Sequence, residues 1–302
     1  MTTDHLAPEV AAFYSSQSPF SDPGELVGWY ADLPRDVGEL AQVVRDVMIH
    51  RVEGEQFGVP IPEDRMHDDA ETRYIDDILR LVVSRNGAPL AERRDFADRF
   101  VGICRDFTLL HVSLLRHVGI PARMRSGFAD YFADNGFHFD HVVTEYWDDE
   151  RGWLLADAQI VDLEWYSMPF DPTDVPRGRF LVASKAWQLI RAGEADPKSF
   201  GLHLPEGPMV GESFVAGNIR LDLAALNKVE TLLWDIWGTG AGPDDEMTDE
   251  IRELYDTAAR VTGDDVPFDE ARALFTDHDG LRTPATVLSL ASFNGPAQVT
   301  LR

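Results

Sequence analysis

The sequence predicts an α+β fold, with helices toward both ends of the chain and a helix followed by short strands in the middle. Amphipathic patterns with helical spacing occur in the first 85 residues and again after about residue 175. Between them, a helix predicted from Cys104 to Gly119 precedes three strand-like runs, at Ala122 to Phe128, His141 to Trp147 and Trp153 to Ile160. A helix followed by sequential antiparallel strands is typical of α+β proteins.

The N-terminal part contains two predicted helices. Asp36 and Glu39 form a capping pattern at the start of the first one. In each helix the apolar side chains recur on one face; they are Leu40, Val43, Val44, Val47 and Met48 in the first, and Ile75, Ile78, Leu79 and Val82 in the second. The second pattern stops near a segment with Gly87 and Pro89, two residue types that disfavour a helix. We therefore predict a helical N-terminal part at residues 1–84.

Helical patterning in the last third predicts a mainly helical extension. One predicted face comprises Leu226, Val229, Leu233 and Ile236, and another comprises Ile251, Leu254, Tyr255 and Ala258. Thr248 can cap the second of these helices. We predict a central α+β core at residues 85–175 and the extension at residues 176–302, unless all parts pack as one compact domain.

The charge balance limits the partners that the chain can have. It has 27 Lys plus Arg against 53 Asp plus Glu, a formal net charge of −26. A surface this acidic repels phosphate backbones and anionic lipid, so we expect neither nucleic-acid nor membrane partners. The acidic runs Asp148-Asp149-Glu150 and Asp244-Asp245-Glu246 are interpreted as solvated loops. The oligomeric state is not predicted.

Other bulk features predict a folded protein of the cytoplasm. No stretch approaches the roughly 18 to 20 apolar residues that a membrane-spanning helix needs. The N-terminus, MTTDHLAPEV, lacks the basic-then-apolar pattern of a secretory signal. The chain has a single cysteine, Cys104, and so cannot form an internal disulfide, which fits a reducing compartment.

Cys104 is the candidate nucleophile because of its position at the start of a predicted helix. Free N–H groups and the helix dipole favour an anion there. The apolar stripe of this helix comprises Phe107, Leu110, Leu114, Leu115 and Val118, and Cys104 lies three residues before its first member. An inward-facing thiol at a helix start can be converted to the thiolate, the reactive form of cysteine.

A thiol nucleophile needs a base, and His141 is the best candidate. His111 lies seven residues along the same helix, roughly 10 Å from Cys104 at 1.5 Å per residue, and cannot reach it. His117, near the helix end, is interpreted as structural. His138 and His141 lie at the start of a predicted strand, on opposite faces if both belong to it.

The predicted hairpin brings a carboxylate to the same face as His141. With a five-residue loop at 148–152, Trp147 pairs with Trp153 and Val143 with Asp157. His141 and Asp157 are then diagonal neighbours, roughly 7 to 8 Å apart between backbones. A carboxylate there can orient the imidazole and stabilise its charged form, as the third member of a catalytic triad.

Several spaced motifs resemble the transglutaminase-like superfamily. They are Gly102-Ile103-Cys104-Arg105-Asp106-Phe107-Thr108, Leu114-Leu115-Arg116, Gly119-Ile120-Pro121-Ala122-Arg123, His141 with Glu145, and Trp153-Leu154-Leu155-Ala156-Asp157. The resemblance covers roughly residues 85 to 162. It implies a papain-like core with Cys104 as nucleophile, His141 as base and Asp157 as orienting residue. The chain has His141-Val142-Val143 where the family commonly has His-Ala-Trp, and Asp157-Ala158 where it often has Asp-Pro, so substrate preference does not transfer.

The function predicted from these residues is acyl transfer or hydrolysis through an acyl–Cys104 intermediate. The acyl donor would be a small molecule, a peptide or a protein carrying an amide or thioester. Two alternatives stay open: an amide synthase of natural-product assembly, and a non-enzymatic binding protein built on the same core. His138-Phe139-Asp140-His141 contains metal-ligand residue types, but it lacks a second cluster at ligand spacing. We therefore expect no metal and no cofactor.

The charged and aromatic neighbours of the candidate site are interpreted as structural. Asp106 is expected to complement the helix N-terminus, and Arg105 to pair locally. Arg123 is interpreted as a buried salt-bridge partner. Trp147 and Trp153, which flank the hairpin turn, are expected to pack against each other.

Overall fold

The computed structural model describes residues 5–204, 207–240, 246–291 and 293–302. The helices are α1 (Pro8–Ser15), α2 (Val37–Val47), α3 (Glu53–Phe57), α4 (Glu63–Asp68), α5 (Ile75–Arg85), α6 (Cys104–His117), α7 (Ala183–Arg191), α8 (Glu212–Leu226), α9 (Asp249–Val261) and α10 (Phe268–Asp277). The strands are β1 (Met48–His50), β2 (Phe100–Gly102), β3 (Ala122–Ala129), β4 (His138–Asp148), β5 (Gly152–Ala156), β6 (Phe180–Val182), β7 (Phe200–Leu204), β8 (Gly207–Val210), β9 (Asp235–Ile236), β10 (Thr286–Ala291) and β11 (Gly295–Thr300).

The predicted α+β class is confirmed, and the chain divides into two compact units. The first consists of Met1–Met124, Val143–Val175 and Ala291–Gly295, and the second of Arg125–Val142, Pro176–Leu290 and Pro296–Arg302. The three-part division predicted from the sequence follows motif boundaries and stays a prediction. Among the described residues, no helix is both long and apolar enough to cross a bilayer.

In the first unit, helices with the predicted apolar faces form the core. The buried side chains of α2 and α5 are those that the spacing indicated, including Leu40, Val44, Ile78 and Leu79. Helix α2 begins where predicted, because one carboxylate oxygen of Asp36 accepts hydrogen bonds from the N–H groups of residues 38 and 39. Helix α6 is buried from Cys104 to Arg116. It is therefore the central helix of this unit.

The hairpin of β4 and β5 has the predicted register in its first-unit part. Trp147 lies opposite Trp153, and their rings pack edge to face with centroids 5.6 Å apart. The turn at 148–152 contains the exposed residues Asp149 and Glu150, as expected for a solvated loop. Strand β5 is shorter than predicted, because it ends at Ala156 and the following N–H donates to the carbonyl of Pro172 instead of to β4.

The second unit combines a sheet with helices. Along its sheet the strand order is β6-β3-β4-β7-β8; β6 pairs with the end of β3, β7 with the start of β4, and β8 with β7. A separate sheet has the order β11-β10-β9. The core contains buried side chains from α7, α8 and α9, with Trp187, Ile219 and Tyr255 among them. Thr248 accepts a hydrogen bond from the N–H of Ile251 and caps α9, as predicted.

One predicted helix in this unit is wrong. The residues from Val229 to Ile236 do not form a helix; α8 ends at Leu226, and Asp235–Ile236 is strand β9. Lys228 has a positive φ of 64°, a conformation that interrupts a helix. The apolar residues are spaced as on one face of a helix, but the chain turns after α8 and Asp235–Ile236 pairs with β10. The sequence analysis also did not predict the short strands β6 to β11; of these, β6 and β9 pair with strands that are distant in sequence.

A buried carboxylate holds the connection between β1 and α3 in the first unit. Glu53 forms a 2.7 Å salt bridge with Arg45, and both side chains are fully buried. It also accepts hydrogen bonds from the N–H of His50 and from the hydroxyl of Tyr166. Because a buried charge is costly without partners, this network fixes the segment that follows β1.

We predict that Glu53→Ala lowers the free energy of unfolding by about 3 to 5 kcal/mol, because it leaves the buried Arg45 guanidinium without its carboxylate. Urea denaturation followed by tryptophan fluorescence measures the change. Glu55→Ala is the matched control, since Glu55 is exposed two residues away; its effect should stay within about 0.5 kcal/mol. Equal losses in the two variants would contradict the assigned role.

Candidate active site

Cys104 is the first residue of α6 and is buried, with 6% of its surface exposed. The preceding residue, Ile103, has extended backbone angles, so the chain enters the helix directly from strand β2. The N–H groups of a first helical turn have no acceptor within the helix, and their partial charges favour an anion. The thiol therefore occupies the position that the sequence predicted for it.

The carboxylate of Asp106 closes the start of α6. The N–H of Ile103 donates to Asp106 Oδ2 at 2.9 Å, and Arg105 Nη1 donates to Oδ1 at 3.0 Å. Burial raises the pKa of the Asp106 carboxyl, while the charge of Arg105 and the bond from Ile103 oppose that shift. Gly102 allows the close approach, since a Cβ at this position would lie 3.1 Å from the Asp106 side chain. The structural roles predicted for Arg105 and Asp106 are confirmed.

Arg51, which the sequence analysis did not identify, lies beside this helix start. Strands β1 and β2 pair in parallel, and the Arg51 N–H donates to the carbonyl of Gly102 at 2.9 Å, two residues before Cys104. Burial lowers the pKa of the Arg51 guanidinium, and the charges of Cys104 and Asp106 act in the opposite direction. The candidate nucleophile Cys104 thus interacts electrostatically with Arg51.

His141 is a buried residue of β4 in the second unit, with 2% of its surface exposed. Its ring is enclosed by aromatic side chains in edge-to-face geometry. The centroid distances are 4.9 Å to Phe132, 6.0 Å to Tyr131 and 6.4 Å to Phe180. Aromatic walls restrict the orientation of the imidazole and limit the access of water to it.

Asp140, the neighbour of His141, carries an unusual carboxyl group. Burial raises its pKa to about 7, although a hydrogen bond with Asn218 and the charge of His141 lower it. Asn218 also accepts a hydrogen bond from the Ser126 hydroxyl at 2.5 Å. The carboxyl next to the candidate base therefore changes its charge near neutral pH.

Asp157 lies directly after β5 in the first unit and is buried, with 2% of its surface exposed. Its Oδ1 accepts a hydrogen bond from the N–H of Gln159, so the side chain also forms the turn that follows the strand. Asp157 interacts electrostatically with His111. The carboxylate is thus held in place by its own turn.

His111 is structural, as its distance from Cys104 along the helix predicts. Its Nε2 bonds to the carbonyl of Val37 at 3.2 Å, and its Nδ1 to the hydroxyl of Thr144 at 3.0 Å. Since a carbonyl only accepts, Nε2 carries the proton and Nδ1 accepts from Thr144. Burial lowers the pKa of His111 to about 4, so the ring is neutral at pH 7.

Arg123 is the buried salt-bridge partner that the sequence predicted. It donates to Glu145 Oε2 at 2.7 Å, and its guanidinium carbon lies 4.0 Å from the centroid of the Trp153 ring. Glu145 is one of the motif residues, and it follows His141 by four positions on the same strand. Both residues thus support the hairpin.

The predicted site residues are distributed over both units. Cys104 and Asp157 belong to the first and His141 to the second, so their cooperation stays a prediction from the motifs. Arg51 and Asp140 were missed: Arg51 belongs to no motif, and Asp140 was considered only as a metal ligand. No group of three or more His, Cys, Asp or Glu side chains within the described ranges is arranged to hold a metal ion.

Comparisons with known proteins find similarity in the central part of the chain. Residues 72–158 match the family model of the transglutaminase-like superfamily. No curated protein matches the chain. Among solved structures, a proposed cysteine protease from Cytophaga hutchinsonii is 15% identical, with a TM-score of 0.35, covering 60% of this chain and 48% of its own. Red sea bream transglutaminase is 14% identical, with a TM-score of 0.34, covering 95% and 43%.

The chain thus spans less than half the length of either of these two proteins. The matched residues 72–158 include the helix start at Cys104, the strand with His141 and the residue after β5, Asp157. They identify this chain, in its central part, as similar to the transglutaminase-like superfamily of thiol enzymes, as its motifs predict.

Proposed function

We propose that this protein is a thiol enzyme that transfers or hydrolyses an acyl group of an amide, peptide or thioester through an acyl–Cys104 intermediate. The observation that carries the proposal is the position of Cys104, the only cysteine, at the buried start of α6. A helix start with a neighbouring cation is the kind of environment in which cysteines act as nucleophiles in proteins.

In the proposed reaction His141 is the base and Asp157 the orienting residue. His141 accepts the proton of the Cys104 thiol, and the thiolate attacks the carbonyl carbon to form a tetrahedral intermediate. His141 then donates this proton to the leaving amine or thiol, which departs and leaves a thioester on Cys104. In the second half-reaction His141 accepts a proton from water or an amine, which attacks the thioester, and the proton returns to the sulfur as the thiol leaves.

Stabilisation of the tetrahedral intermediate requires hydrogen-bond donors directed at its oxyanion. The backbone N–H of Cys104 is one such donor, because it belongs to the first turn of α6. A second donor would come from the segment that precedes the helix.

The acyl acceptor decides the type of enzyme. If the acceptor is water, the protein is an amidase or peptidase; if it is an amine, the protein is a transglutaminase or amide synthase.

We predict that wild-type protein forms a covalent acyl adduct at Cys104 when it is incubated with a mixed library of peptides, glutamine amides and acyl thioesters. Intact-mass spectrometry detects the adduct and identifies the acyl donor. Adding amines in a second incubation resolves the acceptor, since an amine substrate yields a new amide and water alone yields the free acid.

Cys104→Ser is the matched variant for this experiment, because it removes only the sulfur. It should form no adduct under the same conditions, and His141→Ala should slow adduct formation by about 10²-fold or more. If wild-type protein forms no adduct, and iodoacetamide alkylates Cys104 no faster than a free thiol across pH, the proposed function is wrong.

The titration of Asp140, beside the proposed base, predicts a pH-dependent stability. Its pKa of about 7 in the folded protein lies above the ordinary value, so the folded state binds this proton more tightly than the unfolded state. This stabilisation is complete below about pH 4 and is lost as pH rises through about 7. Asp140→Asn cannot ionise, so its stability relative to wild type should rise over this range by about 1 to 3 kcal/mol.

Urea denaturation of both proteins at pH 4.5, 6 and 8 measures the difference in free energy of unfolding. Asp134→Asn is the control, because Asp134 is an exposed residue of the loop between β3 and β4. If the stability difference between Asp140→Asn and wild type does not vary with pH, the raised pKa assigned to Asp140 is wrong.

A further inference from the structure

A cavity of about 610 Å³ lies in the first unit, on the segment that follows β1. Its apolar lining includes Val59, Ile61, Met66 and Phe293, and Arg51 supplies a positive charge. The guanidinium carbon of Arg51 lies 5.5 Å from the centroid of the Phe293 ring. A mostly apolar cavity of this size with a few polar groups is typical of small-ligand sites.

The residue that joins this cavity to the nucleophile is Arg51. Its backbone N–H bonds to the carbonyl of Gly102, two residues before Cys104, so one wall of the cavity lies next to the start of α6. Arg51 therefore belongs both to the lining of the cavity and to the chain segment that pairs with the residues leading into α6.

The charged residues around the cavity limit the charge that a bound ligand can carry. Glu55 and Glu63, both exposed, also line it, and the whole chain has a net charge of −26. Polyanions such as nucleotides would be repelled by these carboxylates and by the surface as a whole. A single carboxylate can pair with Arg51, which is suited to bidentate binding of such a group.

We propose that this cavity binds the acyl donor, and that the donor carries one carboxylate, held by Arg51, on an apolar chain that fills the rest of the space. The assignment rests on the proposed function, since it names the substrate class of the same thiol. Arg51 is a binding residue in this scheme. It selects the donor and positions its carbonyl carbon, and it takes no part in proton transfer.

The alkylation of Cys104 tests the anion site without a natural substrate. Iodoacetate carries a negative charge and iodoacetamide is neutral, but both alkylate the same thiolate. The ratio of their rates is therefore independent of the fraction of Cys104 that is ionised. Because Cys104 is the only cysteine, the rates report this site alone. We expect the iodoacetate-to-iodoacetamide ratio of wild type to exceed that of N-acetylcysteine by about tenfold.

Arg51→Gln should reduce this ratio to that of the free thiol, and Arg51→Lys should retain part of it. Arg80→Gln is the matched control, because Arg80 is an exposed arginine of α5 that pairs with Asp77; it should leave the ratio unchanged. If the wild-type ratio equals that of N-acetylcysteine, or if Arg51→Gln leaves it unchanged, the anion site is refuted.

A substrate pair of matched length tests the selection of the donor. Glutaryl and pentanoyl thioesters of N-acetylcysteamine differ by a terminal carboxylate, and we expect kcat/KM to favour the glutaryl compound by about tenfold in wild type and not in Arg51→Gln. Adducts on Cys104 without this preference would overturn the inference and leave the proposed function intact. A protein that forms no adduct with either compound or with any library member fails at the proposed function instead.

Discussion

The hydrogen bond from the Ile103 N–H to the buried carboxylate of Asp106 is the interaction on which the candidate site depends. It determines the residue at which α6 begins, and Cys104 follows Ile103 directly. The carboxylate is kept buried by its salt bridge with Arg105. A buried carboxylate without such partners would cost several kcal/mol, so the helix start and the ion pair stabilise each other.

Several of the 27 cationic residues of this acidic protein lie in its interior. Arg45, Arg105 and Arg125 are fully buried, and each forms a salt bridge with a carboxylate, at 2.7, 3.0 and 3.0 Å respectively. Because each of these charges is paired with a buried carboxylate, the three pairs contribute no net charge. Arg51 differs from them because it lines a cavity. In the proposed scheme, this cation gives the site a preference for a carboxylate that the bulk charge would not predict.

Local patterns in the sequence predicted much of the first unit. The helical faces of α2 and α5, the cap at Asp36 and the register of Trp147 with Trp153 are confirmed, because each depends on residues a few positions apart. In the segment from Val229 to Ile236, the local pattern does not determine the structure. Its apolar spacing is helical, but a turn at Lys228 and pairing with a strand more than 50 residues later determine its structure.

The sequence by itself determined the class of fold, the position of the lone thiol at a helix start, and the motifs that make His141 and Asp157 candidate site residues. These follow from local periodicity, capping and spacing, which are properties of short segments. Only the tertiary structure decided what surrounds them. Arg51 reaches the helix start because β1 pairs with β2, about 50 positions away in the chain, and the pKa of Asp140 is raised because packing shields its carboxyl group from water. Pairing and burial of this kind depend on contacts between distant segments, which no local pattern encodes.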